Sequence, residues 1–205
     1  MLAGQTLRAS DGYEVALFPC EALYLTPNRN PDEHDVLALD FLPRNTSGQV
    51  ITHMSCYAPF SGRIVYTGND HNCILESNDK VHYANGSLEK MRVLVAHSEI
   101  APVLGATYLQ GQLFYTTGNY GQSAGEHLHM EISRALDNQY WNTGGVGLKN
   151  AIHMWDGLYV NDTALLRPKD YDLKIFTPPT PPHIRKKDKF PWVLYARKLR
   201  EKRGL

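Results

Sequence analysis

Two histidines, His127 and His129, stand one residue apart in His-Leu-His-Met-Glu, with Glu131 two residues further on. On a β-strand, residues i, i+2 and i+4 share one face. Both imidazoles therefore leave the backbone on the same side, about 6.5 Å apart, with a carboxylate next along. In isolation such a pair is more commonly a solvated strand face than a site. Here its surroundings are richer. Gly118, Gly121 and Gly125 precede it in GNYGQSAGEHLH, a loop whose backbone can approach a ligand closely. His34 and Asp40 lie upstream in EHDVLALDF, and His97 lies in LVAHSEI. Zinc takes nitrogen and oxygen donors in tetrahedral sites, and a catalytic site leaves one position open. Two histidines and one aspartate suit it. Against a doubly charged cation, one carboxylate leaves the centre net positive, able to acidify a water and polarise a carbonyl.

Taken in order, these motifs resemble the lysostaphin and LytM-type zinc endopeptidases, which cut peptide bonds in bacterial cell walls. The family pattern has an early His…Asp, a middle His after a strand, and a late His-x-His after a glycine-rich segment. All three occur between His34 and His129. APFSGRIVYTG, Gly111-Gln112 and TGNYGQSAGEHLHMEI extend the likeness over about residues 13–133. The resemblance implies that His34, Asp40 and His129 bind Zn2+. It implies that His127 is a catalytic histidine that does not ligate the metal, with His97 as its partner. It also implies bacterial peptidoglycan as substrate, cut in its stem or cross-bridge peptides. The sequence has no His-Glu-x-x-His helix to supply a glutamate base. Histidines near neutral pKa can take that proton instead. The second histidine can then hydrogen-bond the water or the oxyanion. Two other readings remain: an inactive LytM-like scaffold or structural tail component, and a zinc D-amino-acid carboxypeptidase of related architecture.

One departure constrains the geometry. The family places its first Asp four residues after the His, whereas six separate His34 from Asp40. On one straight strand that separation is roughly 20 Å. His34 must come from a bend folding back onto the Asp40 strand, and the Pro31 region supplies loop-forming residues. Asp35 competes with Asp40. Asp40 is preferred because LALDF embeds it in an apolar strand, where a carboxylate needs a partner. Glu131 either orients a ligand from behind or is solvated. Asn119, Tyr120 and Trp141, with Tyr140 and Trp155, are candidate walls of a substrate groove, and the loop from Asp137 to Gly147 is the leading wall. His53, His71, His82, His153 and His183 read as surface or packing residues.

The elements that must position these residues are mainly β (α+β class): an antiparallel core with a small C-terminal helical appendage. Strands are expected over 36–41, 57–66 after a Pro/Gly bend, 80–83, 91–96, 112–117 and 127–133. Asn85-Gly86 has the composition of a type I′ hairpin turn between 80–83 and 91–96. Residues 148–159 read as one short helix, with Ile152, Trp155 and Leu158 on one side. The organisation that follows is a peptidase domain over 1–175, with a core at about 13–133 and an insert at about 134–165. A proline-rich linker over 176–182 and a basic amphipathic tail over 183–205 complete it.

The chain has 205 residues, 42% of them hydrophobic and 20% charged, which excludes a disordered chain and makes a second full core unlikely. Twenty-one basic residues balance twenty-one acidic ones. The balance argues against a surface built for nucleic acid. It conceals an asymmetry, because residues 183–205 carry a net +7 and the rest a net −7. No run of about 18 apolar residues occurs, so no transmembrane segment is expected. No signal peptide is visible either. Cys20, Cys56 and Cys73 read as small buried thiols. A wall hydrolase without a leader points to a bacteriophage protein. It would act from the virion tail tip, its basic tail contacting other tail proteins, or be released from the host cytoplasm at lysis.

Overall fold

Period-two alternation sets the architecture. In Leu-Asp-Phe-Leu-Pro at 39–43, and again in Leu-His-Met-Glu-Ile-Ser-Arg at 128–134, every second side chain is apolar. Such strands present one face to a core and keep the other for chemistry. The computed structural model describes residues 4–20, 23–25, 37–45, 47–145, 147–159 and 165–166. In chain order these form β1 (Glu14–Val15), β2 (Leu23–Leu25), β3 (Leu39–Pro43), β4 (Ser55–Tyr57) and β5 (Gly62–Thr67). Then come β6 (Cys73–Ser77), β7 (Val81–His82), β8 (Leu88–Glu89), β9 (Met91–Ala96) and β10 (Thr107–Tyr108). The last are β11 (Leu113–Thr116), β12 (Leu128–Arg134), β13 (Ala151–Ile152), helix α1 (Met154–Gly157) and β14 (Leu165–Leu166).

The main sheet runs β10-β5-β6-β9-β12-β3-β2-β14, with β13 paired to the far half of β12. All its pairings are antiparallel except β14 on β2. Two small sheets, β1-β7-β8 and β11-β4, pack beside it. The register fixes what each face carries. Val93 and Val95 on β9, Met130 and Ile132 on β12, Leu75 on β6 and Phe41 on β3 turn into one core with Phe18, Phe60 and Tyr83. The opposite face carries Asp40, His129 and Ala96 in one cross-strand row. Glu131, Leu94, Ile74 and Tyr66 form the next row.

That second row is roofed by Tyr140, Trp141 and Leu148. Trp141 meets the Tyr66 ring edge-on at 5.1 Å between centroids, and Leu148 packs against Ile74 and Leu94. Arg92 is buried and carries the roof's electrostatics. Its Nε donates to Glu76 Oε2 at 2.7 Å, its Nη1 donates to the Gln139 carbonyl at 2.9 Å, and its guanidinium lies over the Tyr140 ring. The sheet face is therefore covered at the Trp141–Leu148 end, and among the described residues no such roof lies over the Asp40–His129 end.

Three expectations differ from this fold. Residues 148–159 are not one helix: Asn150 has φ +60°, Ala151–Ile152 pairs with β12, and only Met154–Gly157 is helical. Strand pairing at a free position on β12 outweighs weak amphipathic periodicity. Asn85-Gly86 is not a type I′ turn, because only Gly86 has positive φ. Gly86 N–H donates to the Tyr83 carbonyl and Tyr83 N–H to the Ser87 carbonyl, giving a type I turn closed by a left-handed glycine. That turn joins β7 to β8, while β9 leaves for the main sheet. The three cysteines are buried free thiols, as expected. The linker, the basic tail and its expected helix lie outside the described residues, as does His34.

Candidate metal centre

β3 and β12 are antiparallel neighbours in a register that sets Asp40 directly opposite His129. The consequence is a contact of 2.9 Å between His129 Nδ1 and Asp40 Oδ1. Asp40 is a half-buried residue between the buried Leu39 and Phe41. The partner its apolar strand demands is thus His129. His127 precedes β12, where its N–H donates to the Gly118 carbonyl at 3.2 Å. Its Nε2 lies 3.7 Å from the same Asp40 oxygen. Among the described residues, Asp40, His127 and His129 form a group with donor atoms within 4.8 Å of one another. Two donors each about 2.0–2.1 Å from a tetrahedral zinc would lie about 3.3 Å apart. The 2.9 Å between His129 Nδ1 and Asp40 Oδ1 lies within about half an ångström of that value, so this nitrogen and oxygen pair fits a zinc ion.

His97 closes the site from β9. Its ring centroid lies 4.9 Å from that of His127 and 6.1 Å from that of His129. The sheet ends at Ala96, and His97 turns away with φ +68°. A β-region neighbour would continue along the strand; the left-handed backbone redirects the imidazole into the site at a cost in strain. His53 and His71, at the site's margin, also have positive φ, at +53° and +50°.

Carbonyl partners settle the tautomers of two histidines. A carbonyl only accepts, so the ring nitrogen facing it bears the hydrogen. His97 Nδ1–H donates to the Tyr120 carbonyl at 2.9 Å, and His127 Nδ1–H donates to the Gly125 carbonyl at 2.7 Å. Each ring therefore keeps the Nε2 lone pair for other work. Burial holds the His97 pKa below the ordinary histidine value. The Tyr120 carbonyl opposes that shift, and the neighbouring His127 and His129 add to it.

The glycine-rich loop serves partly another purpose than approach to a ligand. A Cβ on Gly118 would lie 2.4 Å from the Glu99 nitrogen and 2.7 Å from the His97 oxygen. The absent side chain lets the strand leading to His127 press against the backbone of His97. Gly118→Ala is expected to destabilise the protein by about 1–3 kcal/mol through overpacking against rigid backbone. Thermal unfolding checks it, and a wild-type Tm would contradict this role.

The other expected residues divide. Tyr120 is exposed at the rim beside His97, and Asn119 is exposed next to it. Trp141 lies farther along the sheet, roofing Tyr66. Glu131 is buried rather than solvated, and its Oε2 accepts the Leu148 N–H at 2.9 Å, tying Leu148 to β12. His71, read as a surface or packing residue, stacks on Tyr120, and its Nδ1–H donates to the Ser98 carbonyl. Glu126, outside the expected set, accepts the Thr117 hydroxyl on its Oε1 at 2.6 Å beside His127. The polar Asn-Asp-His-Asn run at 69–72, between two strand-like stretches, is the signal that marks the first of these.

No family model matches the chain. The chain is 23% identical over 175 residues to morphogenesis protein 1 of Bacillus phage B103, covering 82% of this chain and 46% of that protein. It thus spans about half the length of that relative. Among solved structures, it is similar to the catalytic domain of the antimicrobial peptidase lysostaphin from Staphylococcus simulans. There the identity is 21% and the TM-score 0.40, covering 69% of this chain and 86% of that one. The catalytic domain of the prophage-encoded protein EnpA from Enterococcus faecalis is 14% identical with a TM-score of 0.42, covering 67% and 93%.

Proposed function

We propose that this chain is a zinc-dependent endopeptidase acting on peptide bonds of bacterial peptidoglycan, and that it is a phage wall-penetrating protein. The observation that carries the reading is the convergence on one sheet end of Asp40, His127, His129 and His97. The motif resemblance supports the substrate class, and the similarity to a phage morphogenesis protein supports the phage role.

Asp40 and His129 would hold the ion, with His34 as the third ligand implied by the resemblance. When bound, zinc supplies an acidified water and a polarised carbonyl. The chain's own residues do the rest. His97 and His127 are oriented by main-chain carbonyls, so neither ring must reorganise during the reaction. Their free Nε2 atoms form a pair in which one accepts a proton and the other, once protonated, donates to the developing oxyanion or the leaving amine. An extended peptide would lie along the sheet end beside Tyr120.

Two outcomes follow. A proton acceptor must be neutral, and burial holds His97 below its ordinary pKa, so with His97 as acceptor the acid limb of kcat/KM should lie on the acid side of the ordinary histidine value. A pH profile of wall cleavage measures this; an acid limb centred above neutrality would contradict it. Chelation should abolish lysis of purified walls, and one equivalent of zinc should restore it; lysis unaffected by chelator would sink the zinc reading. The proposed site of action is the virion tail tip, with the basic tail contacting other tail proteins. Immunodetection in purified particles tests this, and absence from them overturns it.

A further inference from the structure

We propose that His71 is a positioning residue for His97, acting through the main-chain carbonyl of Tyr120. The inference rests on the proposed reading only for its effect on turnover; its geometric part stands apart from any activity.

His97 sits beyond the end of β9, and its ring direction is set by the Nδ1–H bond to the Tyr120 carbonyl. That carbonyl belongs to an exposed loop. Asn119, Tyr120, Gly121 and Gln122 are all exposed, and Tyr120 is 49% exposed. A loop so placed has little apolar burial to hold it. Its Tyr120 N–H donates to the His97 carbonyl at 3.4 Å, and the Tyr120 ring is held by the hairpin end between β5 and β6. The His71 ring lies flat on the Tyr120 ring, with centroids 3.4 Å apart and planes 2° from parallel. His71 is itself fixed, because its Nδ1–H donates to the Ser98 carbonyl at 2.9 Å. Next to it, the Asp70 carbonyl accepts the His97 N–H at 3.0 Å. A Cβ on Gly121 would lie 2.2 Å from Asp70 Oδ1, so the loop backbone also rests on the Asp70 side chain.

These contacts close a circuit. Asp70 holds the His97 backbone, His97 is aimed by Tyr120, Tyr120 is stacked on His71, and His71 is the residue after Asp70. Neither His71 nor the Tyr120 ring belongs to the Asp40–His127–His129 group. A left-handed φ of +50° at His71 is the strain that turns its ring onto Tyr120. Removing the ring leaves every protein atom of the metal group in place and releases the carbonyl that aims His97.

The test uses the full chain with His71→Asn, Tyr120→Ala, Tyr120→Phe and the double variant His71→Asn/Tyr120→Ala. Asparagine tolerates the left-handed backbone and removes only the ring. Folding of each is verified by circular dichroism. Expected is an about ten-fold lower kcat for His71→Asn with KM within about two-fold, whereas Tyr120→Phe, which keeps the stack, should leave the nitrogen-15 signal of His97 as in the wild type. The double variant should lose no more than the worse single variant, because both break one contact. Independently of activity, the nitrogen-15 shifts of His97 should report a single Nδ1–H tautomer in the wild type and a mixture in His71→Asn. Multiplying kcat losses, or a His97 signal unchanged in His71→Asn, would overturn the assignment. Should the wild type cleave no wall, the peptidase reading fails, and the His97 signal alone decides this one.

Discussion

In His129→Ala, cleavage of purified cell walls is expected to fall by a factor on the order of 10³ or more, and zinc to fall below one equivalent. His129 is the described residue whose loss most directly opens the centre. Its Nδ1 is 2.9 Å from Asp40, and the β3–β12 register leaves no other side chain directly opposite that carboxylate on β12. The fold should survive. Leu128, Met130 and Ile132, which seal the core from the same strand, are untouched. The lost hydrogen bond sits at a half-buried, water-accessible position, so its removal should cost only about 1 kcal/mol. Metal analysis and thermal unfolding on the same sample check the claim. Full zinc content in a dead His129→Ala would show that the residue acts on the reaction rather than on the ion.

The second expected result separates His127 from His129. His127→Ala should lose about 10²–10⁴-fold in kcat and keep its zinc. His127 also faces Asp40, at 3.7 Å, so proximity alone would make it a ligand. Its anchoring argues for a base instead. Gly125 takes its Nδ1–H, leaving Nε2 free at 4.9 Å between ring centroids from His97, an arrangement that pairs two bases around one reacting group. His97→Ala should behave in the same way. Equal zinc loss in His127→Ala and His129→Ala would make His127 a ligand.

The strand positions were legible where alternation was strong. Met91–Ala96 and Leu128–Arg134 lie within a residue of the apolar runs that announce them, because both are central strands whose core faces must be filled. The pairing of Asp40 with His129 was legible only as chemistry. An aspartate in LALDF needs a partner, but nothing local names His129, since register is a property of two strands together. The short strand at 151–152 was hidden for the same reason, its partner β12 being distant in sequence. The roles of Gly118 and His71 were not legible. A glycine beside two others looks like a flexible loop until the backbone it touches is known. A histidine in a hairpin looks solvated until Tyr120 arrives from 49 residues away to stack on it.

The role proposed for the Asp40–His129 end of the sheet is that of a zinc peptidase centre for the bacterial wall. The most direct measurement is mass spectrometry of fragments from purified peptidoglycan treated with the zinc-loaded protein, beside His129→Ala. New amino termini are expected in the wild-type digest, none in the variant's, and a single kind of bond cut. Identical digests from the two proteins, or fragments cut only in the glycan strands, would contradict it.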